Sequence, residues 1–401
     1  MLPRIKIDFA NGAIGSVAPS EDGVTGMAIT GVTVADKFLL ATPYVLSRLE
    51  DLTALGITDE ASDANSFIYK TVKEFYDEAG DGAELWIMAF PEATLPSVIL
   101  DKTKDNAKAL LLEANGRIRN LVVAFRPASG YTPSLEEGLD GDVKLAKANG
   151  QALAEWAETT LFAPVIVILE ARGFRDENLT ALADLTEGSY NRVALLIGDT
   201  ISDSDGAAVG LLAGRIARNP VQRHIGRVRD GEIRASSLFV GDKDPSVANV
   251  EMLNSKGYIS FRKFTGKVGY FFTDDNMACK VNDDYAYITR RRVVDKAYRI
   301  AYQTLLEYLI DELPLTNEGR LVPAVMKSWE QELIRAIVNQ MTLNGELGTD
   351  PANANDKGVM VYINPNQNVV ATSRLLISLK VKPFAYAKYI DVELGFYTKN
   401  E

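Results

Sequence analysis

The stretch Leu85-Trp86-Ile87-Met88-Ala89-Phe90 is apolar at every position, which is typical of a strand that a parallel sheet buries on both faces. Three later stretches have the same character: Leu121-Val122-Val123-Ala124-Phe125, Pro164-Val165-Ile166-Val167-Ile168-Leu169 and Val193-Ala194-Leu195-Leu196-Ile197-Gly198. Helical patterns lie between them, at residues 105–115, 143–159 and 178–185. Buried strands that alternate with helices of this length predict a central α/β domain with a largely parallel sheet.

Upstream of this region, residues 24–34 form a glycine-punctuated apolar run, which predicts a strand and a turn. Pro43 opens a predicted helix, because proline is favoured in the first helical turn, and the apolar side of this helix consists of Val45, Leu49 and Leu52. A second helix is predicted over residues 65–78 from its apolar stripe, and Gly80 follows its end.

The carboxy-terminal third differs in its sequence pattern, with clustered aromatic residues and longer predicted helices. Residues 258–264 and 268–272 predict a β-hairpin around Gly266. A long helix is predicted over residues 285–311, and Pro323 opens another. Two strand-like segments follow, at residues 375–381 and 387–397. We therefore expect an α/β and α+β chain divided into residues 1–23, 24–90, 91–204, 205–384 and 385–401.

Both ends of the chain alternate between apolar and polar residues, which is the pattern of a strand with one buried face. The apolar positions are Ile5, Ile7 and Phe9 at the front and Ile390, Val392, Leu394 and Phe396 at the back. A terminal strand on a flexible linker can pair with its own domain or with another copy of the chain. The second possibility predicts a polymer subunit whose terminal strands form the subunit interface.

The polar faces of the two terminal strands carry opposite charges. The front strand presents Arg4 and Lys6, and the back strand presents Asp391 and Glu393. In one shared sheet, each opposite pair would contribute about 0.2–1 kcal/mol. The simpler interpretation is that exposed strand faces are charged in any case.

Composition limits the classes of function. The 401 residues are 47% hydrophobic and 24% charged, as in ordinary globular proteins, and the formal net charge of −11 argues against a surface that coats nucleic acid. No apolar run approaches the roughly 18 residues of a membrane span, and residues 1–6 lack the apolar core of a signal peptide. The single cysteine, Cys279, excludes an internal disulfide and fits a reducing compartment.

Motifs for catalysis are mostly absent. His224 is the only histidine, which removes histidine-based triads and multi-histidine metal sites. The nearest candidate for a ligand loop is Gly198-Asp199-Thr200 with Asp203, Asp205 and Gly206, for which a strand-to-helix loop with capping side chains is the better interpretation. The pairs Asp274-Asp275 and Asp283-Asp284 are interpreted as turn and cap residues, and His224 and Cys279 as packing residues. We expect no catalytic, metal or cofactor site.

Several weak motifs occur in a recognisable order. They are Val24-Thr25-Gly26-Met27-Ala28-Ile29-Thr30-Gly31, Leu55-Gly56, Val72-Lys73-Glu74-Phe75-Tyr76, Ala208 to Arg218, Leu253-Asn254-Ser255-Lys256-Gly257-Tyr258-Ile259, Gly266 to Phe272, Tyr287-Ile288-Thr289-Arg290-Arg291-Arg292 and Ile390-Asp391-Val392-Glu393-Leu394. This order resembles the tail sheath proteins of contractile phages and their relatives in contractile injection systems. The resemblance covers residues 20–90 and 205–401.

The resemblance implies a non-enzymatic subunit that polymerises as stacked rings around a tail tube and contracts to drive the tube through an envelope. It implies partners in the sheath polymer, the tail tube, the baseplate and the tail terminator. The implied location is the bacterial host cytoplasm during assembly and then the virion tail. Two alternatives stay open: an α/β enzyme or nucleotide-binding protein that uses the central sheet, and a sheath terminator or baseplate component.

Overall fold

The computed structural model describes residues 21–60 and 62–396. These residues divide into two compact units between Tyr302 and Gln303. Strands from residues 24–90 and from residues 91–204 hydrogen-bond within a single sheet, and the expected division of the chain into five segments stays a prediction. No helix among the described residues is both long enough and apolar enough to cross a bilayer.

The strands, in chain order, are β1 (Thr25–Gly31), β2 (Pro43–Leu46), β3 (Leu85–Pro91), β4 (Asn120–Ala124), β5 (Leu135–Glu136), β6 (Leu139–Asp140), β7 (Ile166–Glu170), β8 (Ser189–Tyr190), β9 (Val193–Leu196), β10 (Phe261–Arg262), β11 (Phe271–Phe272), β12 (Ala278–Cys279), β13 (Val359–Ile363) and β14 (Ile377–Val381). The helices are α1 (Leu49–Ala54), α2 (Asp63–Ala79), α3 (Pro96–Ile99), α4 (Ala107–Glu113), α5 (Asp142–Thr160), α6 (Val209–Arg218), α7 (Val250–Ser255), α8 (Ile288–Leu306), α9 (Pro323–Ile337) and α10 (Val369–Thr372). Shorter 3₁₀ segments occur at Asp176–Ala181, Leu185–Glu187 and Val228–Asp230, and a π-helical turn at Val338–Thr342 extends α9.

The first unit contains a six-stranded sheet in the order β2-β3-β1-β4-β7-β9. Every neighbouring pair is parallel except β2 and β3. All residues of β4, β7 and β9 are buried, as their continuous apolar sequences require. The predicted α/β fold with a largely parallel sheet is therefore confirmed, and the predicted hairpin around Gly266 is present as β10 and β11.

Helices α2 and α6 pack so closely that their backbones are in contact. A Cβ atom at Gly210 would lie 2.3 Å from the carbonyl oxygen of Thr71, and one at Gly214 would lie 2.4 Å from that of Phe75. Glycine is needed at both positions, because any side chain would push the helices apart. Directly after Gly214, the fully buried Arg215 forms an ion pair with the fully buried Glu78 at 2.7 Å.

Three predicted elements differ in the structure. Pro43 begins the outermost strand of the sheet and not a helix, since an edge strand tolerates proline at its first residue. The predicted helix at residues 178–185 consists of 3₁₀ segments, whose three-residue period suits the buried Leu179, Leu182 and Leu185. The predicted helix at residues 285–311 begins at Ile288 and ends at Leu306.

The second unit contains α9, α10 and the antiparallel pair β13 and β14. Its small core is formed by the buried Leu321, Met326 and Ile363. The ring of Trp329 on α9 lies 4.7 Å from that of Tyr308, between centroids. This core supports one face of the hairpin and leaves the other face in solvent.

Candidate strand-exchange site

The hairpin of β13 and β14 is a two-stranded sheet, and no third strand joins it among the described residues. Val359 lies opposite Val381 at one end, and Ile363 lies opposite Ile377 at the other. Val361 and Ile363 are buried, whereas Met360 and Tyr362 are 64% and 53% exposed. An isolated two-stranded sheet is at best marginally stable, so this hairpin is suited to accept further strands.

The hydrogen-bond pattern shows which backbone groups point outward. Lys382 N–H donates to Gly358 O at 2.8 Å, so Gly358 and Lys382 form a hydrogen-bonded pair. Pairing alternates along an antiparallel ladder, and the odd-numbered residues of both strands therefore direct their N–H and C=O groups away from the hairpin. Those residues are Val359, Val361 and Ile363 on β13 and Ile377, Leu379 and Val381 on β14.

The C-terminal arm, residues 385–401, is described as far as residue 396 and forms no strand with any described residue. The predicted strand at residues 387–397 is thus not formed within the described chain. Its predicted apolar face is solvent-exposed, with exposures of 78%, 79%, 93% and 102% for Ile390, Val392, Leu394 and Phe396. Asp391 and Glu393 are also exposed. The arm therefore carries a strand pattern without a partner strand in the part of the chain that the structure covers.

The front strand lies outside the described residues. This applies to Arg4, Ile5, Lys6, Ile7 and Phe9, whose role at a subunit interface stays a prediction. β13 itself was missed in the sequence. The signal for it was the β-branched and aromatic run Val359-Met360-Val361-Tyr362-Ile363 between Gly358 and Pro365.

The candidate ligand loop, residues 198–206, uses its aspartates in ion pairs with other parts of the fold. Asp199 accepts from Lys70 Nζ at 2.6 Å and from Ser204 Oγ at 2.6 Å. Asp203 and Asp205 lie 3.4 and 2.6 Å from the Arg175 guanidinium. The three aspartates of this loop are therefore paired with side chains of the fold, which agrees with the structural interpretation of the loop.

The cavity at the carboxyl end of β7 is small. It has a volume of about 10 Å³, room for one water molecule, and Glu170 and Arg172 line it. A typical ligand pocket needs roughly 300–1,000 Å³. Burial raises the pKa of Glu170 to about 7, against the opposing effects of Arg172 and the Phe125 amide. This carboxyl group is a buried structural acid, and the cavity beside it does not fit a nucleotide.

His224 meets the Asp274-Asp275 pair, a contact across 50 residues that no local pattern predicted. Its Nε2 lies 2.9 Å from Asp274 Oδ1 and 3.1 Å from Asp275 Oδ1. Burial lowers the pKa of His224, but the two carboxylates outweigh burial and raise it to about 9. The Gly226 amide lies 3.0 Å from Nδ1 and favours the neutral ring, because it donates to a nitrogen without a proton. The contacts with the two carboxylates favour the charged ring. The charged form prevails, because charge-assisted hydrogen bonds are stronger than neutral ones.

This cluster also holds the start of α8. Asp275 accepts from the Thr289 amide at 3.1 Å and from the Thr289 hydroxyl at 2.7 Å, which confirms its predicted capping role. The imidazole Nε2 and the two carboxylate oxygens lie within 4.8 Å of one another, a spacing that also suits a metal ion. Because the charged ring already supplies the cation between the carboxylates, an ion pair explains the arrangement.

The remaining predicted residues have local structural roles. Asp283 accepts from the Tyr285 amide at 2.8 Å, as a turn residue does. Cys279 is buried in β12, and burial raises the pKa of its thiol to about 12. Such a thiol is unreactive near neutral pH.

Two family models match the chain: "DUF2586, N-terminal domain" over residues 2–276 and "DUF2586, C-terminal domain" over residues 284–401. The chain belongs to the DUF2586 family. The join between the two matches, at residues 277–283, follows Asp275 and precedes α8.

This DUF2586 chain is similar to solved structures of contractile machines. It aligns with a chain of the anti-feeding prophage baseplate at 15% identity and a TM-score of 0.66, covering 99% of each chain. A chain of the contracted anti-feeding prophage sheath aligns at 16% identity and a TM-score of 0.63, covering 100% of this chain and 99% of that chain. A chain of the contracted PVC sheath complex, from an extracellular contractile injection system, aligns at 12% identity and a TM-score of 0.58, covering 100% of this chain and 98% of that chain. The fold expected from the resemblance to sheath proteins is confirmed.

One curated relative, an aspartyl/glutamyl-tRNA(Asn/Gln) amidotransferase component from Thermus thermophilus, is 31% identical over part of its length. The match covers 38% of the DUF2586 chain, and the chain spans only 38% of that relative. The structural matches, in contrast, extend over nearly the whole chain.

Proposed function

We propose that this DUF2586 chain is a structural subunit of a contractile sheath, without catalysis of its own. Subunits would polymerise as stacked rings around a tail tube, and contraction would drive the tube through a target envelope. The observation that carries the proposal is a complementarity within one chain. The β13–β14 hairpin offers outward backbone groups, and the C-terminal arm offers an exposed strand pattern.

Strand addition between copies follows from the chemistry of these two parts. Main-chain hydrogen bonds to an added strand provide affinity, and alternate apolar side chains set the register. Ile390, Val392 and Leu394 would extend the apolar face that Ile377 and Leu379 begin. Burying each such side chain contributes about 1.5–3 kcal/mol before the cost of ordering the arm. The front strand, with Ile5, Ile7 and Phe9, would serve as a second donated strand.

The proposal implies particular partners and a place in the cell. The main partner is the chain itself, in rings and in a helical polymer. A tail tube protein would lie inside the sleeve, with baseplate and terminator proteins at its ends. Assembly would take place in the bacterial host cytoplasm, before the sheath becomes part of a tail. The flexible arms would let compact units move during contraction without dissociating.

Electron microscopy of the full chain, co-expressed with a tail tube protein, tests this function. We expect striated tubes from the wild-type chain. The double variant Val392→Ser, Leu394→Ser should stay folded and fail to form tubes, because the inserted strand loses its apolar face. The matched control is Asp391→Ser, Glu393→Ser, which alters the opposite face of the same arm and should still form tubes.

Tubes from the Val392→Ser, Leu394→Ser variant at wild-type yield would contradict the role of the arm. A compact monomer or dimer of the wild-type chain in the presence of the tube protein would contradict the sheath function. Circular dichroism of each variant checks that the fold is intact.

A baseplate or terminator component is a second candidate, favoured by the similarity to a chain of the anti-feeding prophage baseplate. Such a subunit would use the same hairpin and arm to close a single ring. The same micrographs separate the candidates, since a terminator forms isolated rings and a sheath subunit forms long stacks.

A further inference from the structure

The two edges of the β13–β14 hairpin differ in how many backbone groups they offer. Glu330 on α9 is buried, and its Oε1 accepts a hydrogen bond from the outward Ile363 N–H at 2.8 Å. Its Oε2 pairs with Lys327 Nζ at 2.5 Å. Burial raises the pKa of Glu330, but the hydrogen bonds from Lys327 and Ile363 outweigh it and hold the pKa below its ordinary value. The carboxylate therefore stays ionised and occupies the end of the β13 edge.

The β14 edge has no such cap among the described residues. The outward N–H and C=O groups of Ile377, Leu379 and Val381 make no hydrogen bond to another described segment. An incoming strand can use three N–H donors on this edge but only two on β13, those of Val359 and Val361. One additional net hydrogen bond corresponds to a preference of about fivefold.

Charge on the solvent face favours the same edge. β14 presents Lys380 on that face, whereas β13 presents Met360 and Tyr362. The polar face of the C-terminal arm presents Asp391 and Glu393. A strand added to β14 would place these carboxylates beside Lys380, and opposite charges on neighbouring strands are favourable.

We infer that the C-terminal arm of another copy pairs with β14, and that Glu330 directs it there by capping β13. This inference rests on the proposed function. It makes Glu330 a positioning residue for assembly, and it leaves the β13 edge to a second strand that forms fewer main-chain bonds. The arm's own apolar face would then lie on the same side as Ile377, Leu379 and Val381.

Cysteine cross-linking of the assembled polymer tests the edge. The donor is Gly395→Cys, which lies on the polar face of the arm with Asp391 and Glu393 and leaves both charges in place. The acceptor is either Ser378→Cys on β14 or Tyr362→Cys on β13, positions that lie opposite each other in the hairpin. The thiols are joined with the shortest bis-methanethiosulfonate, which bridges neighbouring strands about 4.8 Å apart and not next-nearest strands about 9.6 Å apart. The native Cys279 is buried.

We expect about fivefold more cross-linking to Ser378→Cys than to Tyr362→Cys. Adding Glu330→Leu, which removes the acceptor of the Ile363 N–H and keeps an apolar side chain of similar size in this buried place, should bring the two yields closer together. The control Glu332→Leu on the same helix, whose carboxylate pairs with Arg335, should leave the ratio unchanged. Equal yields, or a higher yield at Tyr362→Cys, would overturn the inference and leave strand exchange intact. Tubes without a cross-link at either position would overturn strand exchange itself, and with it the arm's part in the proposed function.

Discussion

Replacing Gly214 by alanine should destabilise the first unit, because α6 and α2 touch there through backbone atoms. The new Cβ would lie 2.4 Å from the Phe75 carbonyl oxygen and 2.7 Å from Glu78 Cβ. Backbone cannot rotate aside as a side-chain tip does, so α6 must shift away from α2. Overpacking of this kind costs up to about 3 kcal/mol, and the higher helix propensity of alanine returns about 1 kcal/mol. The expected net loss in the free energy of unfolding is about 2 kcal/mol.

Gly150→Ala is the matched control within a buried helix face. Its Cβ would lie 3.2 Å from Val167 Cγ1 and 3.5 Å from Leu100 Cδ1, which are side-chain methyl groups and not backbone atoms. We expect this variant to stay within about 1 kcal/mol of the wild type. Urea denaturation followed by circular dichroism measures both variants. If Gly214→Ala unfolds at the same urea concentration as Gly150→Ala or above it, the backbone contact between the helices is not as tight as described.

Two further predictions concern charge and backbone strain. Because Asp275 and Asp274 raise the pKa of His224 from 6.5 to about 9, the stabilisation from this cluster should be complete below pH 6.5 and lost as pH rises through about 9. The variant His224→Gln should lower the free energy of unfolding by about 2 kcal/mol at pH 6 and by much less at pH 10, as measured by urea titration. Equal decreases at the two pH values would refute the ion pair. Ile310 is 95% exposed and has a left-handed φ of 68°, so Ile310→Gly should raise the free energy of unfolding by about 1 kcal/mol while Ile310→Val does not. A decrease for Ile310→Gly in the same assay would show that the left-handed conformation carries no strain.

The strands of the central sheet could be predicted because burial on both faces removes polar residues from them. The runs at residues 85–90, 121–125, 164–169 and 193–198 correspond to β3, β4, β7 and β9. Each run is short, continuous and apolar, and each is followed by a polar loop. In such a sheet, the local sequence contains most of the information about the element.

Other features depend on contacts between distant residues and could not be read locally. Pro43 suits both a helix start and an edge strand, and only pairing with β3 selects the strand. His224 and Asp275 meet because the loop after α6 lies against the start of α8. The helix pattern continues to residue 311, yet α8 ends at Leu306, and the following residues form turns.

One part of the candidate site could be predicted from local sequence, and the other part depends on contacts between distant residues. The alternation in the C-terminal arm was visible in the sequence, and its apolar side chains are exposed in the described part of the arm, so their role at a subunit interface stays a prediction. The acceptor was not visible, because the role of β13 depends on pairing with β14 and on the Glu330 cap. Neither contact has a signature in a single stretch of residues.

The central claim is that the arm of one copy completes the hairpin of another copy. Equal amounts of isotopically light and heavy chains, each carrying Gly395→Cys and Ser378→Cys, can be mixed before assembly, cross-linked in the tubes and analysed by mass spectrometry. Exchange between copies predicts that light–heavy products are as abundant as the light–light and heavy–heavy products together. Products that join the two cysteines only within a single chain would mean that each arm folds back on its own hairpin, which would contradict the account.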